Sequence, residues 1–475
     1  QYQLSTGWTL DVLRPGASWQ VTDGQRVYVI TLLGSGPDAG KLQFWAPTIQ
    51  AVSVGASLAA GFAGTTGVAL SGAGAVALNS VTSTANAHLD DSVVEAAGPV
   101  TLTADGSRVI TATIMALSAA LAGGGTTGVG VSIGVAVAKN LIGEQLDGTK
   151  APVQTQAYLL RSSVSADGAL SLAATAAQTI SALVVSASAA VAVGGTAGVG
   201  ASGAGVWVEN VIRTATGAFV DGDSSVVAIK GNDKDADGVS LKLSALDTST
   251  ISAIAGAVSL AFAFGGTAGV AVSVGVSLAK NLIDGKVTAA INKATVTNKA
   301  GSGTPGGITL TAREDPGIRA VSAAASVAVG AGTFGAGVAG AGAWARNEIT
   351  TATSATITDA TLTSGGKVSL TAEDTSQITA IIAAVAIGVG AGAGGLGVAI
   401  GGAVAENIIS TVTTAQILRS SVFYTVSSDL TLQATTNQVI NALVLAGSMA
   451  ARSVRPVPRP ATRSQIGRAS CRERV

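Results

Sequence analysis

The chain has 475 residues, of which 62 are Gly, 48% hydrophobic, 3% aromatic and 11% charged, about half the charged fraction of an average globular protein. One His, one Cys and two Met exclude a disulfide framework and a Cys/His metal centre. The net charge of zero conceals an asymmetry: Arg452, Arg455, Arg459, Arg463, Arg468, Arg472 and Arg474 crowd the last 25 residues beside Glu473, which leaves residues 1–450 with 20 basic and 26 acidic groups, net −6, and a nucleic-acid partner would want a clustered basic face.

Residues 1–48 carry six of the 16 aromatic residues (Tyr2, Trp8, Trp19, Tyr28, Phe44, Trp45) and turn signals at Asp23-Gly24 and Gly36-Pro37. They are expected to be the truncated end of a preceding β-rich module or cap. From residue 49 a triplet I-x-A recurs at Ile49, Ile110, Ile180, Ile251, Ile318, Ile378 and Ile440, at intervals of 61, 70, 71, 67, 60 and 62. Six repeats of 60–71 residues and a partial seventh therefore fill 49–450, and such a period points to a repeat architecture. In each unit a turn Gly (Gly67, Gly128, Gly198, Gly269, Gly335, Gly395) stands 12 residues before an Asn (Asn79, Asn140, Asn210, Asn281, Asn347, Asn407). A block L-x-L-x-A, or a near variant, ends at Ala104, Ala174, Ala245, Ala312, Ala372 and Ala434, always eight residues before the next unit's triplet Ala. Apart from one residue between the triplet Ala and the turn Gly (16 in four units, 15 in two), only the segment from Asn to this block changes length, between 25 and 35 residues. Stacked rungs require such a division, because a ladder that slips by one residue turns every side chain over, whereas a surface loop lengthens at little cost.

Each unit centres on two apolar arms around a GGTxG-like turn. Helical arms are disfavoured, since Gly198, Gly200, Gly203 and Gly205 within one arm would each cost a helix about 1 kcal/mol relative to Ala. The L-x-L-x-A block and the segment Ala415 to Val422 alternate with period two, as half-buried strands do. Arms of Gly, Ala, Ser and Val suit sheets packed closely on one another. The expected fold is all-β: a right-handed parallel β-helix or solenoid, either with two coils per unit or with one coil and a projecting hairpin. Ile251–Ala279 and Thr379–Ala405 are 29 and 27 residues without a charge, the length of a membrane span. Gly-Gly at the middle of each run and Lys and Arg totals of 6 and 7 in alternate loops argue against insertion.

The regular Asn series is expected to form a structural ladder with amides bonded from rung to rung; a carbohydrate-binding stripe is the functional alternative. His88 aligns with Tyr158, Phe219, Ile291, Thr356 and Gln416, an exposed strand position with loose requirements. The third variable loop contains Asp233, Asp235 and Asp237 followed by Gly238, the alternating hard oxygens and permissive turn of a calcium loop. Ser244 stands where a complete loop has a bidentate acid, and Asp221 and Asp223 would have to complete the shell. The constant blocks hold few charges beyond Lys139, Glu209, Lys280, Arg346 and Glu406 beside the Asn, and these change sign between units as a solvated rim does. No nucleophile with a base and no phosphate-binding context is legible, so a polysaccharide-degrading enzyme on the same scaffold lacks its acids. An ice-contacting or surface-layer array would use Thr-rich strands such as Thr351–Thr363, but the Thr positions drift.

With GGTAGV at Gly194–Val199 and again at Gly265–Val270, and A-x-N-x-I at Ala138–Ile142 and Ala279–Ile283, residues 49–450 resemble the repeats of filamentous-haemagglutinin-like and other large adhesin-type exoproteins of Gram-negative and cyanobacterial cells. The resemblance implies export to the outer cell surface, an elongated non-catalytic β-helical shaft continued by flanking repeats, and adhesion or matrix roles toward cell-surface carbohydrate or protein. Residues 451–475 are expected to be a non-native or disordered tail: Gln465–Val475 resembles the translation of a common sequencing adapter, which would make Cys471 foreign.

Overall fold

The computed structural model describes residues 48–223, 225–229, 239–298, 306–424 and 428–453, together with the strands Ser18–Thr22, Val27–Leu32 and Leu42–Phe44. Those three strands form an antiparallel sheet. From Thr48 onward every paired strand is parallel, and among the described residues there is no helix, so none is long and apolar enough to cross a membrane.

The register answers how a 60–71-residue unit is used. Ile49 pairs with Ile110, Ile110 with Ile180, and so on through Ile251, Ile318 and Ile378 to Ile440. Each unit is thus one coil of a parallel β-solenoid, and its length comes from unusually long strands. Leu170–Gly194 and Ala197–Asp221 have 25 residues each, about 80 Å at ~3.3 Å per residue. The two arms of a unit are not hydrogen-bonded to each other as a hairpin. The first arm pairs with the first arms of neighbouring units and the second with second arms, so the two lie face to face in separate sheets.

A coil has two parts. In the body, the L-x-L-x-A strand, the far end of the second arm and a short third strand (Val93–Ala96, Ser163–Ala166, Val226–Ile229, Thr295–Asn298, Thr361–Ser364, Ser421–Tyr424) enclose a core of Leu, Ile and Val, among them Leu172, Leu243, Leu310 and Leu370. The triplet Ile residues and Val81, Ile142, Ile212, Ile283 and Ile349 close this core. Beyond them the two arms continue as a thin fin whose interior is almost entirely Ala, Ser and Gly. At Gly198 a Cβ would lie 2.8 Å from the carbonyl carbon and 2.9 Å from the amide nitrogen of Phe264. The backbones therefore approach far closer than the ~10 Å usual for facing sheets, which only Gly permits.

The structure corrects two expectations. The slot of His88 continues through Tyr158 and Phe219 to Ala290, then Thr356 and Gln416; Ile291 is one residue further on and points into the core, fully buried. Close packing of the arms holds for their inner faces only. Their outer faces carry the larger side chains, with Val52 74%, Leu58 78% and Ile400 70% exposed, because strand alternation here sorts residues by size and not by polarity. Length variation also falls at two corners: residues 143–152 follow the second arm of the second unit, whereas 230–238 and 299–305 precede the next L-x-L-x-A strand.

Candidate functional site

Four arrays run along the solenoid, each built from equivalent positions on successive rungs. The Asn residues stand in one column on the inner face of the second arm, each Nδ2 donating to the next Oδ1 at 2.8 Å: Asn79 to Asn140, Asn140 to Asn210, Asn210 to Asn281, Asn281 to Asn347 and Asn347 to Asn407. Four of them are fully buried. Both hydrogen-bonding ends of each interior amide are spent on its neighbours, as a buried amide requires, so this column presents nothing to a carbohydrate. Beside it on the outer face, Lys139 and Lys280 flank Glu209 at 3.8 and 3.0 Å, and Arg346 meets Glu406 at 3.3 Å. The sign changes noted in the sequence therefore form ion pairs along the axis.

A second ladder escaped the sequence reading. Inside the fin, hydroxyls cross from sheet to sheet and climb the axis: Ser71 to Ser57, Ser118 to Ser71, Ser132 to Ser118, Ser188 to Ser132, Ser202 to Ser188, Ser259 to Ser202 and Ser273 to Ser259, at 2.8–2.9 Å. The legible signal was a Ser pair 14 residues apart in four successive units (57/71, 118/132, 188/202, 259/273). A hydroxyl is small enough for the narrow gap and is saturated there by its neighbours.

The third array is a column of buried acids between the body core and the isoleucines. Asp247, Glu314 and Asp374 occupy the same register position on three successive rungs, about 4.8 Å apart, and all are buried. Each end acid caps the bend that follows it: Asp247 Oδ1 accepts from Ser249 N at 3.0 Å and Asp374 Oδ1 from Ser376 Oγ at 2.7 Å. The opposite sheet supplies Thr216 to Asp247 at 3.2 Å, Thr353 to Glu314 at 3.0 Å and Thr351 to Asp374 at 2.7 Å. Gly285 leaves the space that the Glu314 carboxyl fills. Burial first, then the like charges of Asp247, Asp374 and Asp284, raises the Glu314 pKa well above the usual carboxylate value, and burial raises that of Asp247. Burial and like charge thus favour the neutral form of the central acid. Its signature, an acid two residues after the block Ala in three consecutive units (Ala245/Asp247, Ala312/Glu314, Ala372/Asp374), stood in the sequence unused. In the same seam Arg108 donates from Nε to Ser83 Oγ at 2.7 Å, and burial lowers its pKa. Arg213 lies between Glu144 (2.8 Å) and Asp284.

The fourth array lies at the corner after the second arm, where Asp91, Arg161, Gly222, Lys293, Asp359 and Arg419 all take positive φ. Arg161 pairs with Asp91 at 2.8 Å and Arg419 with Asp359 at 2.6 Å; these hydrogen bonds lower the pKa of Asp91 and of Asp359. His88, Tyr158 and Phe219 stack at 4.9 Å, within 9° of parallel, so both faces of Tyr158 and one face each of His88 and Phe219 are used on one another. Asp233, Asp235 and Asp237 lie outside the described residues, as does the tail from Val454. Among the described residues no group of three or more His, Cys, Asp or Glu is arranged to hold a metal ion. Neither family models, curated proteins nor solved structures give a match to this chain.

Proposed function

We propose that this chain is a shaft segment of a large exported bacterial surface or matrix protein, and that it acts mechanically and catalyses nothing. The observation that carries the reading is the register of the first arms, in step over seven rungs from Thr48 to Ser453 and tied by the Asn ladder over six rungs and the Ser ladder over four. Pulling the rungs apart along the axis loads every ladder bond at once, which is the property a stalk needs. Many of the ionisable groups are spent internally: Lys139, Glu209, Lys280, Arg346 and Glu406 pair along the rim, Arg161 and Arg419 pair with Asp91 and Asp359 at the corner, and Asp247 and Asp374 cap bends. Thr351 and Thr353, which an ice face would have to expose, are buried donors to Asp374 and Glu314.

Antibody raised to the chain tests this on intact cells of the source: surface labelling that external protease removes is the expected result, and a strictly cytosolic signal refutes it. Calcium at Asp233, Asp235 and Asp237 belongs to the same proposal, since exported acidic loops meet the ion at millimolar level. Calcium titration should give heat with the native chain and none with Asp235→Ala; equal heats leave a plain surface loop.

A further inference from the structure

The fin is inverted relative to an ordinary sandwich, with Gly, Ala and Ser inside and Val, Leu, Ile, Phe and Trp outside. The outer face of the second arms is also corrugated. On the second and fourth rungs it presents ridges: Val131, Ile133, Val135 and Val137, then Val272, Val274, Val276 and Leu278. On the third and fifth rungs the middle of the strand is Gly203-x-Gly205 and Gly340-x-Gly342, and the first has Gly72-x-Gly74. A Cβ added at Gly72, Gly74, Gly203 or Gly342 would meet nothing within 4 Å, so the middles of these rungs are open valleys one strand spacing from each ridge, bounded toward the base by Val76, Trp207 and Trp344. No charge falls on the patch, and the charges at its base are paired within the chain.

We propose that this face docks against the same face of a second copy of the chain. The strip from Thr66 to Val76 and its equivalents over six rungs measures roughly 1,000 Å² per copy at ~3.3 Å per residue and ~4.8 Å per strand, above the ~800 Å² per partner of a standard stable interface. A continuous apolar patch of that size with a polar rim marks an interaction site. Its relief selects the partner, because ridges one rung from valleys are complementary to themselves, while a fluid lipid surface needs no such relief. A two-fold axis along the solenoid would set ridge on ridge. A two-fold axis along the strands, midway between the third and fourth rungs, seats the second-rung ridge in the partner's fifth-rung valley and the fourth-rung ridge in its third-rung valley. The pairing is then isologous and closed.

Sedimentation of the full chain against concentration, with circular dichroism on each variant, tests this. Expected is a monomer–dimer equilibrium weakened about tenfold or more by Val274→Lys, and likewise by Gly203→Val, which fills a valley without adding charge. Val258→Lys on the opposite face should leave it unchanged. A chain monomeric at all concentrations overturns the proposal, as does dimerisation strengthened by Gly203→Val or broken equally by Val258→Lys. Monomer that instead floats with phosphatidylcholine vesicles, and no longer does so as Val274→Lys, overturns it in favour of a lipid surface.

Discussion

Replacing Gly by Ala at two sites of one local structure should change stability in opposite directions. In an exposed strand the substitution stabilises by about 0.4–1 kcal/mol, because the unfolded chain loses conformational freedom. Gly256 is such a site: it faces outward, and an added methyl meets only Val185 Cγ2 at 3.9 Å, an ordinary contact. Gly198 faces the opposed sheet, and its Cβ would collide with the backbone of Phe264 in the strand Thr250–Gly265 that contains Gly256. The obstacle is main chain held in a parallel ladder on both sides, so no rotamer relieves it and the sheets must part locally. Overpacking costs of about 1–3 kcal/mol are usual where side chains can adjust, and Gly198→Ala should reach the upper end or beyond. The midpoint of urea unfolding, followed by far-ultraviolet circular dichroism, reads both variants. Gly256→Ala should move it up slightly and Gly198→Ala strongly down; shifts of the same sign and size would refute the account of the fin as two sheets in backbone contact.

The buried acids predict an inverted pH profile. Because the folded-state pKa of Glu314 is raised, its contribution is fully present below the unfolded value of about 4.3 and is lost as pH rises toward the folded value. Thermal melts should therefore show declining stability from acid to alkaline pH, and Glu314→Gln should flatten the decline; parallel profiles would refute the assignment. Asn210→Ala strands Asn140 Nδ2 and Asn281 Oδ1 in the interior, at about 1–3 kcal/mol for each buried unsatisfied group, whereas Asn79→Ala at the first rung breaks one bond and should cost less in the same melts. Lys293 takes φ 49° where the preceding unit has Gly222, so Lys293→Gly should raise the melting temperature slightly; a fall would mean that the lysine makes contacts outweighing its backbone strain.

Period and strand type were legible because a solenoid repeats its constraints once per coil. The spacing from Gly198 to Asn210 is the same in every unit because both residues are locked in one strand of a continuous ladder. The Ser pairs are as regular, but Ser is common in apolar Ala-rich runs, and a 14-residue offset gains meaning only once the arms are known to face each other. The acids were harder to see, since Gly106 and Ala176 hold their place in two units. The inverted fin was illegible for a physical reason. Strand pattern analysis looks for alternating polarity, whereas Ala182, Leu183, Val184 and Val185 are all apolar; which face is buried is decided by how near the opposite backbone comes, and only side-chain volume records that.

The amide column has a direction. Every Asn Nδ2 points toward the later rung and every Oδ1 toward the earlier one, while the serine hydroxyls donate from later residues back to earlier ones. The two chains of dipoles run opposite ways inside the same molecule, so their fields partly cancel at a distance, yet within each chain successive bonds polarise one another. The two ends of the stack consequently differ in chemistry: the Asn407 end offers a donor and the Asn79 end an acceptor. A further coil can join either end in one orientation only. Each coil is in this sense a mould for the next, and a chain that emerges from its amino terminus can lay down rungs in order, with the polarity of every addition already set by the one before.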